Sequence, residues 1–452
     1  MKNIRYDDLT SKYESRMMEK LAEFIAIDST YDENSKDENN PFGKGVSKAL
    51  EFIKNLAIEE GFEAKNYDNM VVEIITGKGD KNLTIMAHAD IVPVGNGWET
   101  DPFKIHEEDG VLYARGVADD KGPLMACFYG LKALLDEGLL GDYQVRFLVG
   151  GNEERGSLCM EHYFRTLNKY QPTLGFTPDS DYPLIYAEKG IINFRVHGQI
   201  ELDNVAAIEG GVASNAVIDQ CVATLKKDDE FIKYLTKNNV KFTKDGNNVV
   251  FHGLAAHGSM PEDGINAGII ALDCLANFYH NEKLQEFVNR YKDVYGRGIN
   301  AYNESKDMGK NSMNVGLLSY QNNELSMVVN FRHVDGVSSN DLIDNIKKAN
   351  SPFAIEVLGI SPLLYFPKDS TLVSTLLRVY REETGDLDSE PLAIGGGTYA
   401  KEANNIVAFG MQFPGWDSKM HGPGEKTKKA DLVKSMSIYA HAIIELGKEL
   451  EK

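Results

Sequence analysis

The chain has 452 residues and a formal net charge of −20, from 48 basic and 68 acidic side chains. That balance argues against nucleic acid or an anionic membrane surface as a partner, and no apolar run approaches the ~20 residues needed to span a bilayer. Hydrophobic residues make up 42% of the chain, enough for a sizeable core, and the length allows two or more domains at roughly 100–200 residues each. The four cysteines, Cys127, Cys159, Cys221 and Cys274, are scattered with no C-x-x-C. They fit a reducing compartment rather than a disulfide framework or a thiolate metal site. The polar start from Met1 to Asp8 has no apolar h-region, so no signal peptide is expected and a cytoplasmic location is.

Met17, Met18, Leu21, Phe24 and Ile25 recur at helical spacing, which predicts an amphipathic helix over 14–27. A polar, acidic loop with Pro41 follows, then a helical pattern over 45–60 closed by Gly61. A strand is expected at 71–76, a turn at 77–81 and a second strand at 83–88. That second strand is an apolar run ending in His88-Ala89-Asp90, ahead of the loop residues Pro93, Gly95, Asn96 and Gly97. In open α/β sheets ligands bind at such a carboxyl edge. In an extended segment His88 and Asp90 share a face, where a carboxylate can orient an imidazole toward a metal. A histidine at a strand end is also an ordinary core residue, so this stretch alone does not decide between the two.

A short strand at 111–114 leads into Arg115-Gly116-Val117-Ala118-Asp119-Asp120-Lys121-Gly122-Pro123, and Leu124 to Leu135 form the apolar stripe of a helix ending at Gly138. A strand at 143–149 runs into Gly150-Gly151-Asn152-Glu153-Glu154, and one at 174–177 meets Pro178-Asp179-Ser180-Asp181. Strands alternating with helices on this scale indicate an α/β sheet covered by helices. After about Tyr186 the texture changes to strands at 190–196, 249–253 and 325–333 and helices at 215–225, 266–279 and 340–348, an α+β insertion. From about Ser370 the earlier rhythm returns, with a helix at 372–384, a strand at 406–412 and a terminal helix from 431. The reading is one discontinuous domain, 1–186 with 372–452, interrupted by a lid, 187–371.

Four strand-to-loop junctions each deliver metal-type side chains: His88 with Asp90, Asp119 with Asp120, Glu153 with Glu154, and Asp179 with Asp181. Met420-His421-Gly422-Pro423-Gly424-Glu425 adds a late histidine. Paired acids at a turn are usually solvated surface. Several pairs at one sheet edge would repel and raise each other's pKa unless a cation neutralised them, and carboxylate with imidazole suits zinc, manganese or cobalt.

Taken together, His88-Ala89-Asp90, Arg115-Gly116-x-x-Asp119-Asp120-Lys121-Gly122-Pro123, Gly151-Asn152-Glu153-Glu154 and His421-Gly422-Pro423 resemble the dinuclear metallopeptidase family. That family includes aminoacylase, carboxypeptidase G, carnosinases and succinyl-diaminopimelate desuccinylase. Gly258-Ser259-Met260-Pro261-Glu262-Asp263-Gly264-Ile265-Asn266-Ala267 and Gly395-Gly396-Gly397-Thr398-Tyr399-Ala400 are similar to its dipeptidase V branch. The resemblance covers nearly the whole chain and implies a zinc-peptidase type catalytic domain, a mixed sheet flanked by helices, with an inserted lid.

It implies two divalent metal ions, zinc first and manganese or cobalt as alternatives. Asp119 would bridge them, with His88 and Asp179 at one and Glu154 and His421 at the other. Asp90 would orient His88, and Glu153 would act as general base. Asp120 and Asp181 are not ligands in this assignment. From the lid, His257 would stabilise the oxyanion, and Asn215 and Arg332 would bind a short peptide substrate together with Gly396, Gly397 and Thr398. The planar fork of Arg332 suits a C-terminal carboxylate. Lys401 stands where the family often has arginine.

The resemblance implies a cytosolic dipeptidase, active as a monomer because the lid is long, with a dimer as the alternative. Two rival readings stay open: an N-acyl-amino-acid deacylase or desuccinylase, and a non-catalytic binding module on the same fold.

Overall fold

The computed structural model describes residues 4–227 and 229–452. The chain divides into two compact units. The first gathers the chain up to Tyr186 with Phe366–Leu392 and Thr398–Lys452; the second holds Ala187–Tyr365 and Ala393–Gly397. The first unit therefore resumes at Phe366, ahead of the 372 read from the sequence, and Gly395, Gly396 and Gly397 go with the second unit.

The sheet of the first unit contains β1 (Glu63–Tyr67), β2 (Val71–Gly77), β3 (Asn82–His88), β4 (Gln144–Gly150), β5 (Leu174–Thr177), β6 (Ile185–Glu188) and β7 (Ile406–Ala408). Their spatial order is β1-β2-β4-β3-β5-β7-β6. Strand β3 is parallel to β4 and β5, and β5 is parallel to β7, while the outer pairings are antiparallel. Strand β3 is buried at every position, as expected of a largely apolar strand in the middle of the sheet. Strand β1, Glu-Ala-Lys-Asn-Tyr, is too polar to stand out in the sequence and forms as an edge strand against β2.

Register sets His88 beside Gly150. The carboxyl ends of β4, β3 and β5 therefore open on one edge. The loops leaving them carry Glu153 and Glu154, Asp90, and Asp179.

Helix Lys121–Asp136 is buried along nearly its whole length and packs on Lys429–Leu450. It is apolar on most faces, as an enclosed helix must be. The two helices approach closely at Gly130, where an added Cβ would stand 2.7 Å from the Met436 carbonyl oxygen.

The second unit is built on an eight-stranded antiparallel sheet. Ile192, Phe194 and Val196, alternating along Gly190–Gln199, join Leu272, Leu275, Phe287 and Ile346 from the helices in one core. One expectation fails here. Residues 215–225 are not a helix: Gln220–Leu225 is a strand between Asn248–His252 and Val205–Gly210, and Asn215 sits in the turn before it. Val217, Ile218, Cys221, Val222 and Leu225 carry helical spacing, but Cys221, Ala223 and Leu225 also alternate. The sheet, which buries those three, wins.

Candidate metal centre

Asp119 sits in the loop ahead of helix Lys121–Asp136 and faces two histidines at once. Its Oδ1 lies 3.1 Å from His88 Nε2, and its Oδ2 lies 2.9 Å from His421 Nε2. Asp179 Oδ2 is 3.7 Å from the same His88 nitrogen, and Glu154 Oε2 is 3.4 Å from that of His421. The ligand atoms of His88, Asp119 and Asp179 all fall within 4.8 Å of one another, and so do those of Asp119, Glu154 and His421. The five side chains named as ligands thus meet in two trios that share Asp119. Asp181 stays apart, its carboxylate accepting a hydrogen bond from Gln412 Nε2 at 3.0 Å.

Asp90 departs from its expected geometry. Strand β3 ends at His88, so Asp90 lies beyond the strand. His88 Nδ1 meets the main-chain oxygen of Asp90 at 3.0 Å, and the carboxylate lies farther away, at 3.5 Å. The Asp90 carboxylate instead accepts the backbone N–H groups of Glu153, at 3.0 Å, and Glu154, at 3.1 Å. It therefore ties the end of β4 to the end of β3. Asp120 works similarly, its Oδ2 accepting the His88 N–H at 3.0 Å.

A buried ion pair went unread in the sequence. Arg115 Nη1 donates to Glu425 Oε2 at 2.6 Å, with both side chains sealed from solvent. The other oxygen of Glu425 accepts the N–H groups of Ala118, at 2.9 Å, and Asp119, at 3.1 Å. Arg115 also donates to the Gly422 carbonyl at 3.3 Å. The pair thus holds the Asp119 loop against the His421 loop. Both residues lie inside the quoted motifs, and the signal was their nearness to Asp119 and His421. Lys121, likewise buried, donates to the carbonyls of Phe24, at 3.1 Å, and Ile27, at 2.7 Å, anchoring the start of its helix.

The charges at this edge do not balance. Asp90, Asp119, Asp120, Glu153, Glu154 and Asp179 surround two imidazoles. Burial, then the fields of Asp179 and Asp119, push the Glu153 carboxyl well up, and burial with Asp119 does the same to Glu154 and Asp179. Asp119 is buried too, but hydrogen bonds from His421 and His88 outweigh burial and hold its carboxyl far below the usual range. Glu154 Oε1 is buried with no hydrogen-bond partner. Nitrogen and oxygen donors in two trios, an orphaned carboxylate oxygen and surplus negative charge fit a pair of divalent cations.

The second unit carries the remaining candidates. Arg332, buried at the end of Glu324–His333, donates from Nε to Asn330 Oδ1 at 2.9 Å and from Nη1 to the Gly395 carbonyl at 2.6 Å. Gly395, not Gly396 or Gly397, is therefore the glycine it reaches. Burial pulls the Arg332 pKa down to about 10, which leaves it charged at neutral pH. His257 and Asn215 are exposed neighbours: Ala216 bridges to His257, and the Gly258 N–H donates to the Asn215 carbonyl at 2.7 Å. Asn314, which no motif singles out, pins that turn through the carbonyls of Ser214 and Ala216. Thr398 belongs to the first unit, where its hydroxyl accepts the Ala400 N–H at 3.3 Å.

No helix among the described residues is long and apolar enough to cross a membrane. A sequence profile described as Peptidase family M20/M25/M40 matches residues 84–445. The chain is 34% identical over 451 residues to the protein named "Putative dipeptidase YtjP" of Bacillus subtilis, covering 94% of this chain and 96% of that one. It is 32% identical over 461 residues to a protein named "Putative dipeptidase" of Staphylococcus epidermidis, covering 96% and 98%. Among solved structures, the di-peptidase Dug1p of Saccharomyces cerevisiae superposes with a TM-score of 0.59 over 98% of both chains at 15% identity, a likeness of fold.

Proposed function

The chain belongs to peptidase family M20/M25/M40, and from that premise we propose that it is a cytoplasmic metallodipeptidase that hydrolyses dipeptides with a free C-terminus. The observation that carries this reading is the one carboxylate, Asp119, turned to His88 with one oxygen and to His421 with the other. His88, Asp119 and Asp179 would hold one divalent cation and Asp119, Glu154 and His421 a second, with zinc the favoured metal and manganese or cobalt the alternatives. When bound, such a pair polarises a carbonyl oxygen and brings the pKa of a water toward neutrality.

The chain's own residues account for the rest. Glu153 accepts the proton of the attacking water and passes it to the leaving amine. A carboxyl whose pKa is raised by burial suits that double duty. Asp90 positions the backbone of Glu153 and Glu154. Arg332 takes the substrate's C-terminal carboxylate, and His257 donates a hydrogen bond to the developing oxyanion. Asn215, Gly396, Gly397 and Thr398 complete the substrate contacts. The 187–371 segment acts as the lid on a catalytic domain formed by 1–186 and 372–452, and a single chain suffices for activity.

The test is hydrolysis of L,L- and β-alanyl dipeptides by chelated protein and after add-back of each metal, alongside N-acetyl and N-succinyl amino acids. Loss on chelation, recovery on add-back and preference for dipeptides are expected. Cleavage of only the N-acyl compounds would make the enzyme a deacylase, and no metal-dependent hydrolysis at all would remove the reading.

A further inference from the structure

The neutral ring of His257 can carry its proton on either nitrogen, and only one of the two tautomers makes it a donor at Nε2. Ser259 decides which. Its hydroxyl lies 2.6 Å from His257 Nδ1, and its backbone N–H points at the same nitrogen at 3.3 Å. The hydroxyl can donate or accept and only holds the ring in place, but an amide N–H can only donate, so this contact calls for an acceptor at Nδ1 and puts the proton of the neutral ring on Nε2.

Two features keep this arrangement in place. Ser259 is lodged against Gly395, where an added Cβ would stand 3.0 Å from the Ser259 Cβ, and the Gly395 carbonyl in turn receives Arg332. Burial, then the positive charge of Arg332, lower the His257 pKa, favouring the neutral ring in which the tautomer matters.

We infer that Ser259 is a positioning residue that locks His257 in the Nε2–H tautomer, so that the exposed edge of the ring presents a ready hydrogen-bond donor to a substrate oxygen. The tautomer follows from the geometry alone; its catalytic use rests on the hydrolase reading above. No proton is transferred in this role: the Nε2–H is donated to developing negative charge and kept.

The test is a long-range proton–nitrogen correlation spectrum of the full chain labelled with ¹⁵N-histidine, the His257 signals assigned by their loss in His257→Gln. The expected spectrum shows a bare Nδ1 and a protonated Nε2 at neutral pH. In Ser259→Ala the amide that selects the tautomer remains, but the short hydroxyl bond that holds the ring against it is lost, so the ring can turn away. A mixture of tautomers should appear, and kcat should fall about tenfold with KM nearly unchanged and an unaltered melting temperature. A proton on Nδ1 in the unmutated protein overturns the inference, as does a Ser259→Ala variant with the original spectrum and kcat. A protein that shows the expected tautomer but cleaves no dipeptide would refute the dipeptidase reading and leave the tautomer assignment standing.

Discussion

In the first unit three of the five candidate ligands lean on buried neighbours: His88 on Asp120 and the Asp90 carbonyl, Asp119 on Glu425, Glu154 on Asp90. In the second unit, His257 and Asn215 stand exposed on turns, held by Ser259, by the Asn314 side chain and by backbone bonds. The first arrangement suits groups that must tolerate charge at fixed spacing. The second suits groups that meet a substrate that comes and goes. The comparison teaches that hydrogen bonds fix the candidate ligands of the first unit in advance, whereas the exposed candidates of the second have fewer side chains beneath them.

Substitutions in the two regions separate these roles. Glu153→Gln should lower kcat by roughly a hundred- to ten-thousand-fold with bound metal unchanged, measured by steady-state kinetics beside elemental analysis. His257→Ala should cost about a hundred- to a thousand-fold, again with metal content intact. If His257→Ala lost metal, or Glu153→Gln kept its rate, the division of labour between the regions would be wrong.

A smaller effect probes the support itself. Glu425→Gln keeps an acceptor for the Ala118 and Asp119 N–H groups but leaves Arg115 buried without its counter-charge. Metal affinity, followed by titration of chelated protein, should weaken about 10- to 100-fold. An unchanged affinity would show that the Arg115–Glu425 pair does not set the position of Asp119.

The smallest expected effect lies away from both regions and serves as a control. Glu383 accepts hydrogen bonds from His441 Nδ1 and Lys434 Nζ, each at 2.9 Å, which join helix Thr371–Thr384 to Lys429–Leu450. Burial would raise its pKa, but these two donors outweigh burial and hold it below the usual value. A depressed carboxyl pKa gives stability that is full above the ordinary glutamate value and is lost as pH falls through the folded value. Glu383→Gln should therefore cost about 1 kcal/mol at pH 7, and the gap to the unmutated protein should close below about pH 4, with kcat unaffected. Denaturant melts across that range read both the size and the sign.

The two trios of candidate ligands are legible because metal-type side chains cluster in short motifs at strand ends, where an apolar run stops and a turn begins. His88 at the end of β3 is the clearest instance. What lay beneath them was not legible. The quoted motifs contain Arg115 and Glu425 but give no sign that the two pair, and the spacing of His88 and Asp90 does not show that the Asp90 carboxylate accepts the backbone N–H groups of Glu153 and Glu154. Residues 215–225 carry helical and strand spacing together, and only the neighbouring strands decide between them. Polar β1 exists because β2 offers it an edge. In each case the deciding partner is distant in sequence, so local pattern could not supply it.

The central claim is that one carboxylate serves two cations, and counting metal tests it most directly. Elemental analysis of metal-loaded protein should find two divalent ions per chain, and Asp119→Ala, folded by its circular dichroism, should retain essentially none. An Asp119→Ala protein that still carried two ions would contradict the account.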